Sequence, residues 1–263
     1  MASKKIYKFT GFDKVIFNGV ELNPIPATID DCSWEEILSM VRDGTFADYY
    51  SVGDIKNVKL KSGETMQMIL ASINDGTNSP GRTNGRFYPA KTIDFISKNG
   101  TSNVSNLTQW VNNVLDEMIP WTDSSARNTL NTTIYNQLPD DIKALIIEKD
   151  HYYDGYEFDK SYSVNRIKYY RSSDKIWLPT AYELGLSSSL ATQNPYNYNK
   201  TYPIFSSSSD RQKYYNKRCT SSLNDIYSGN NSKYYNYGIS ELGDFTSISN
   251  HDKKSTIIGF RIG

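Results

Sequence analysis

An α+β fold with a small N-terminal β-hairpin is predicted by three features of this 263-residue sequence. Ser33 and Glu36 form a Ser-x-x-Glu capping box, and Trp34, Ile37, Leu38 and Val41 behind it repeat at the helical period. Two short apolar runs read as buried strands: Ile176-Trp177-Leu178, stopped by Pro179, and Ile257-Ile258 with Phe260 and Ile262 near the end. Asn18-Gly19 lies between Val15/Phe17 and Val20/Leu22, the strongest short-range hairpin signal. The long stretch between the two apolar runs is rich in Tyr, Asn, Ser and Lys and too polar to bury a core of its own. It is expected to form long loops on a rigid frame, where recognition usually resides.

Charge excludes one class of function. Twenty-nine basic and twenty-nine acidic residues cancel, and Lys4-Lys5 and Lys253-Lys254 are basic runs of only two. Nucleic acid is therefore not an expected partner, since phosphate neutralisation calls for a basic excess. The N-terminus MASKKIYKFTGF has a basic start with no apolar stretch behind it, so neither a signal peptide nor a membrane insertion is expected. The two cysteines, Cys32 and Cys219, lie far apart without a Cys-x-x-Cys partner, which argues against a structural disulfide.

Each element has its own signal. Residues 4–29 read as the hairpin with an exit stiffened by Pro24 and Pro26. A lone two-stranded ribbon buries too little to be stable, so residues 1–30 are expected to be an attachment segment docked outside a domain of residues 31–263. The helix after Ser33 closes at Gly44. Residues 56–75 read as two strands about Ser62-Gly63, and residues 75–86 as a turn-rich loop. A helix is expected over 106–118, where Leu107, Trp110, Val111, Val114, Leu115 and Met118 hold the period until Pro120. Another follows with Ala126, Leu130, Ile134 and Leu138 four apart, and a third begins at Pro139 in PDDIKALII, its first turn acidic where the helix dipole favours it.

Tyrosine is unevenly spread. Sixteen of twenty-one fall between Tyr152 and Tyr237, which marks that region for recognition: Tyr supplies a rigid face and a polar tip at low entropic cost.

The ordered motifs SWEEI (33–37), YYSVGD (49–54), ILASIND (69–75), SSARNTLNTTIYNQLPDDIKALI (124–146), DKIWLP (174–179), YPIF (202–205) and GFRI (259–262) resemble an uncharacterised domain family. That family occurs in phages and prophages of Gram-positive gut bacteria, and it is itself similar to the C-type-lectin-like fold of phage receptor-binding tips. The resemblance implies a C-type-lectin-like domain with long Tyr/Asn/Ser-rich loops, serving as a virion protein of the tail fibre or baseplate. It implies binding to a host cell-surface glycan or protein, attachment to other virion proteins through the N-terminal segment, and a homo-oligomer. The alternative it leaves open is a structural virion protein, such as a capsid decoration or baseplate component. On the display side it places Tyr214, Tyr215, Asn216, Arg218, Tyr234, Tyr235, Asn236 and Tyr237, the candidate ligand-binding set. Neighbours on a strand point to opposite faces, so about half of the set is expected to be structural.

Catalysis is not expected. The same resemblance touches formylglycine-generating enzymes, which need a reactive cysteine pair, yet Cys219 has only the distant Cys32. His151 and His251 lie in polar stretches with nothing placing either beside Cys219. The acid pairs Asp30-Asp31, Glu35-Glu36 and Asp140-Asp141 sit at helix starts, where capping explains them without glycosidase chemistry. Asp225, Asn230, Asn231, Glu241 and Asp244 match no calcium-loop spacing, so no metal and no cofactor is expected.

Overall fold

A computed structural model describes residues 15–17, 20–22, 25–74, 82–83, 86–87, 91–98, 122, 125–158, 164–180, 182–185, 201–215, 219–220, 227–229, 233–240, 242–249 and 255–263. The chain opens with β1 (Val15–Phe17) and β2 (Val20–Leu22), then α1 (Trp34–Asp43), β3 (Ile55–Lys59) and β4 (Thr65–Asn74). A small pair, β5 (Arg82–Thr83) and β6 (Arg86–Phe87), precedes β7 (Thr92–Ser97). α2 (Ser125–Thr129) runs through a π-helical turn, Leu130–Ile134, into α3 (Tyr135–Gln137), followed by α4 (Asp140–Lys143) and β8 (Ile146–Ile147). A long ribbon of β9 (Lys149–Phe158) and β10 (Val164–Asp174) leads into β11 (Ile176–Trp177). The last third holds α5 (Ser208–Tyr214), β12 (Cys219–Thr220), β13 (Tyr227–Gly229), β14 (Lys233–Ile239), β15 (Phe245–Ser249), β16 (Ser255–Thr256) and β17 (Gly259–Ile262). The mixed α+β class holds, and among the described residues no helix is long and apolar enough to cross a membrane.

The frame is a six-stranded sheet in the order β11-β17-β7-β4-β3, with β8 also on β17. The closing strand is its pivot. β17 pairs antiparallel along its whole length with β7 and, on its other edge, with β11 through Ile176 opposite Phe260 and with β8 through Ile147 opposite Arg261. Strand alternation sends one set of side chains to each face, and both faces are covered. On one side Met68, Leu70, Phe95, Phe260 and Ile262 meet α1 through Trp34, Ile37, Leu38 and Val41. On the other, Ile69, Ala71 and Ile96 meet Leu184, Tyr202, Phe205, Tyr215 and Ile239. A sheet buried on both faces explains why its strands read as near-continuous apolar runs.

Local signals act as expected at the first helix. Ser33 Oγ accepts from Glu36 N, the Glu36 carboxylate accepts from Ser33 N at 2.7 Å, and Gly44 closes the helix in the left-handed region at φ 78°. Leu130, Ile134 and Leu138 are buried along the helical run that includes the π turn. That turn places Asn131 against the start of β11. Its Oδ1 accepts from Lys175 N and Ile176 N, and its Nδ2 donates to Ile176 O at 3.0 Å. A side-chain amide thus serves as the missing neighbour strand at this edge of the sheet.

Several expectations change. The helix begun at Pro139 ends at Lys143, and Ile146-Ile147 turn into β8 because β17 offers an edge to pair with. The stretch expected as a loop over 75–86 contains β5 and β6 on either side of Asn84-Gly85, the same hairpin signal as Asn18-Gly19. The polar stretch before the closing run is not all loop. Within it β14 is the central strand of a five-stranded sheet with β13, β15, β12 and β16. Tyr, Thr and Ile favour strands, and a search for apolar alternation alone passes over a strand built from Tyr. Tyr-rich β9 and β10 pair from Asp174 opposite Lys149 out to Val164 opposite Phe158, for the same reason. The helix expected over 106–118 lies outside the described residues.

Residues 25–31 pack on the core. β1 and β2 pair as expected, with Phe17 opposite Val20. The chain has joined the core by Ile25, however: Ile29 is 2% exposed, Tyr50 Oη donates to Pro26 O, and Lys56 Nζ donates to the carbonyls of Ile29, Asp30 and Cys32. Deleting residues 1–24 is therefore expected to leave a cooperatively melting protein. Deleting 1–31 strips Lys56 of two of its three carbonyl acceptors and opens the core beneath Ile29, and a thermal melt should fall by well over 10 °C, on the scale of a buried Ile plus an uncompensated cation. Equal melts for the two truncations would place residues 25–31 outside the core.

Candidate functional site

The proposed contact residues divide between two elements. α5 is capped by Ser207, whose Oγ accepts from Asp210 N, and ends at Tyr214. Tyr214 is partly buried edge-on to Phe205 at 6.1 Å. Tyr215 is wholly enclosed, its ring 5.8 Å from Phe205, and offers no face to a ligand, so it belongs to the structural half of the set. Asn216 and Arg218 lie outside the described residues. Tyr234, Tyr235, Asn236 and Tyr237 are successive positions of β14, flanked by β13 and β15: Tyr235 stands opposite both Tyr227 and Ser249. Tyr235 and Tyr237 share the strand parity of Ile239, which is fully buried; Tyr234 and Asn236 have the opposite parity.

Arg211 ties these two elements together. The residue is 6% exposed, and its guanidinium donates from Nε to Gly243 O at 2.6 Å, beyond the end of β14. Nη1 donates to Gly185 O at 3.0 Å and Leu184 O at 3.3 Å, and Nη2 to Ser208 Oγ at 3.2 Å. Burial pulls its pKa down, against the pull of Asp244 and Asp210.

Beneath this region, on the same face of the central sheet, lies a buried set of charges. Asp94 on β7 stands opposite Arg261 on β17, and the two form a two-point pair: Nε to Oδ1 at 2.6 Å and Nη2 to Oδ2 at 2.9 Å. Lys149, the first residue of β9, reaches Asp94 Oδ2 at 3.1 Å, Glu183 Oε1 at 2.6 Å and Tyr202 Oη at 2.8 Å, with its ammonium 4.8 Å from the Trp177 ring centre. Glu183 turns its other oxygen to Thr180 N at 2.8 Å. Burial alone would raise the Asp94 carboxyl, but Arg261 and Lys149 overcome it and hold the group at about 2. Burial, with Glu183 and Asp94 beside it, raises the Tyr202 phenol, so it stays protonated. Two cations and two carboxylates balance, each held by short hydrogen bonds, and the arrangement serves to lock β7, β17, β9 and the turn after β11 together. None of these four charges was singled out from the sequence. Signals for them exist: Thr180-x-x-Glu183 is a capping box, and Asp94 and Arg261 are charges set inside apolar strand runs.

Cys32 is a free, buried thiol whose pKa is pushed up by burial, the opposite of an activated nucleophile, and its Sγ lies 2.8 Å from Tyr50 Oη. Cys219 is on β12, in register with Ile239 and Ser255. His151 is on β9 opposite Ser172, and His251 lies outside the described residues. Among the described residues no group of three His, Cys, Asp or Glu side chains is arranged to hold a metal ion. Of the residues weighed for calcium, Asp244 is exposed, and Asp225, Asn230, Asn231 and Glu241 lie outside the described residues.

A family model described as a domain of unknown function, DUF6273, matches residues 95–252. The match takes in the two candidate contact segments and Lys149 and Glu183, and stops before β17. No curated protein and no solved structure is similar to the chain.

Proposed function

The chain belongs to the DUF6273 family, and we propose that it is a recognition domain of C-type-lectin-like build, carried on a phage virion and binding a host cell-surface ligand without covalent chemistry. The observation that carries this reading is the placement of Tyr234–Tyr237 on the central strand of a small sheet, rather than on a free loop. A strand fixes the spacing of the backbone positions that carry these residues, which lowers the entropic cost of binding. The Tyr-rich composition between 152 and 237 supports it, as does the ordered motif resemblance to phage and prophage domains. Residues 1–24 would then join the domain to other virion proteins.

An alanine scan along β14 tests the reading. Tyr234→Ala and Asn236→Ala are expected to weaken adsorption to a susceptible Gram-positive gut bacterium by up to about 30-fold, the scale of a binding hot spot, with the melting temperature nearly unchanged. Tyr235→Ala and Tyr237→Ala, of Ile239 parity, and Tyr215→Ala should instead lower the melt. If no substitution separates adsorption from stability, the structural virion role replaces the receptor-binding one.

A further inference from the structure

We propose that Arg211 is the positioning residue of this recognition face, an inference that rests on the reading just given. The two candidate contact segments belong to different elements, the end of α5 and β14, and a binding surface made from both needs their spacing held. Arg211 lies three residues before Tyr214 on α5, and its Nε bond to Gly243 O fixes that helix to the turn just past β14. The same guanidinium holds the turn after β11 through Gly185 O and Leu184 O. Among the described residues its hydrogen bonds go to neutral carbonyls and a hydroxyl, an expensive way to bury a cation. What that arrangement secures is geometry, because a rigid planar fork holds its acceptors at fixed angles to one another and a lysine ammonium on a flexible stem does not. The close seating of the turn on the helix agrees: Gly243 has φ 76°, and a side chain there would run into Ser208 O and Gln212 N. Arg211 itself is enclosed and touches no ligand. Its role is to set the distance between Tyr214 at the end of α5 and Tyr234 and Asn236 on β14.

The test uses the full-length chain and, as probe, intact cells of whichever strain in a panel of Gram-positive gut bacteria binds the wild type most tightly. Arg211→Lys is expected to stay folded at the assay temperature and to lose about tenfold in affinity, the worth of one pre-organised contact. In that background Tyr234→Ala should add less than about twofold, because residues acting through one geometry are not additive. A merely structural arginine would lower the melt and leave the two losses multiplying. Should Arg211→Lys not fold, Ser208→Ala, which removes only the Nη2 acceptor, is expected to show the same non-additivity at a smaller loss. Wild-type affinity in Arg211→Lys, or multiplying losses in either background, overturns the inference while a Tyr234→Ala defect leaves the recognition reading standing. If the wild type binds no strain, the recognition reading falls and this inference with it.

Discussion

Deleting the last eight residues, Thr256–Gly263, is expected to abolish cooperative folding. β17 is not a terminal strand added to a finished sheet but the strand that β7, β8 and β11 all pair with. Its loss uncovers Ile257, Ile258, Phe260 and Ile262, all fully buried, and removes the partner of Asp94. A single buried Phe or Ile reduced to Ala costs roughly 2–5 kcal/mol, so removing four exceeds the 5–15 kcal/mol by which a domain is stable. Circular dichroism on heating checks it: the truncated chain should show no sigmoidal transition. A truncation that melts cooperatively would mean that the strand is dispensable.

The second largest effect is expected from Asp94→Ala. Removal of that carboxylate leaves Arg261 and Lys149, both enclosed, to share Glu183 alone, and breaking a buried pair in this way costs about 3–5 kcal/mol. Denaturant unfolding at neutral pH measures it, and a loss below about 1 kcal/mol would show that the charges relax without one another. The pH dependence carries a sign. Asp94 sits at about 2 in the folded protein against an ordinary 3.8, so its stabilisation is fully present above 3.8 and is lost as pH falls through 2. That shift corresponds to on the order of 2 kcal/mol. Wild type should therefore lose stability more steeply than Asp94→Asn between pH 4 and pH 2. Parallel curves would exclude Asp94 as the group responsible.

Much of the frame was legible in the residues themselves, and the reason is that the signals are local. Ser33, Glu36 and Gly44 define α1 because a capping box and a left-handed stop act within one helical turn. Asn18-Gly19 and Ser62-Gly63 locate hairpins because the turn alone sets which strands can meet. Residue type nominates the candidate contact set, yet type does not separate from it Tyr215, which is enclosed by Phe205 and its neighbours.

What tertiary structure decided is how distant segments complete one another. Ile146-Ile147 could continue a helix, and they become a strand because β17 presents an unpaired edge beside them. Tyr234–Tyr237 could belong to a loop, and they form a strand because β13 pairs with Tyr234 and Tyr235 on one edge and β15 with Tyr235, Asn236 and Tyr237 on the other. Asp94, Lys149, Glu183 and Arg261 could each be a surface charge. Only the approach of β7, β9, β17 and the turn at Thr180 desolvates them together. From the sequence alone, then, came the short-range elements, whose hydrogen bonds close within a few residues; the strand order, the buried charges and the yoke at Arg211 depend on neighbours up to 167 positions apart, which no local pattern encodes.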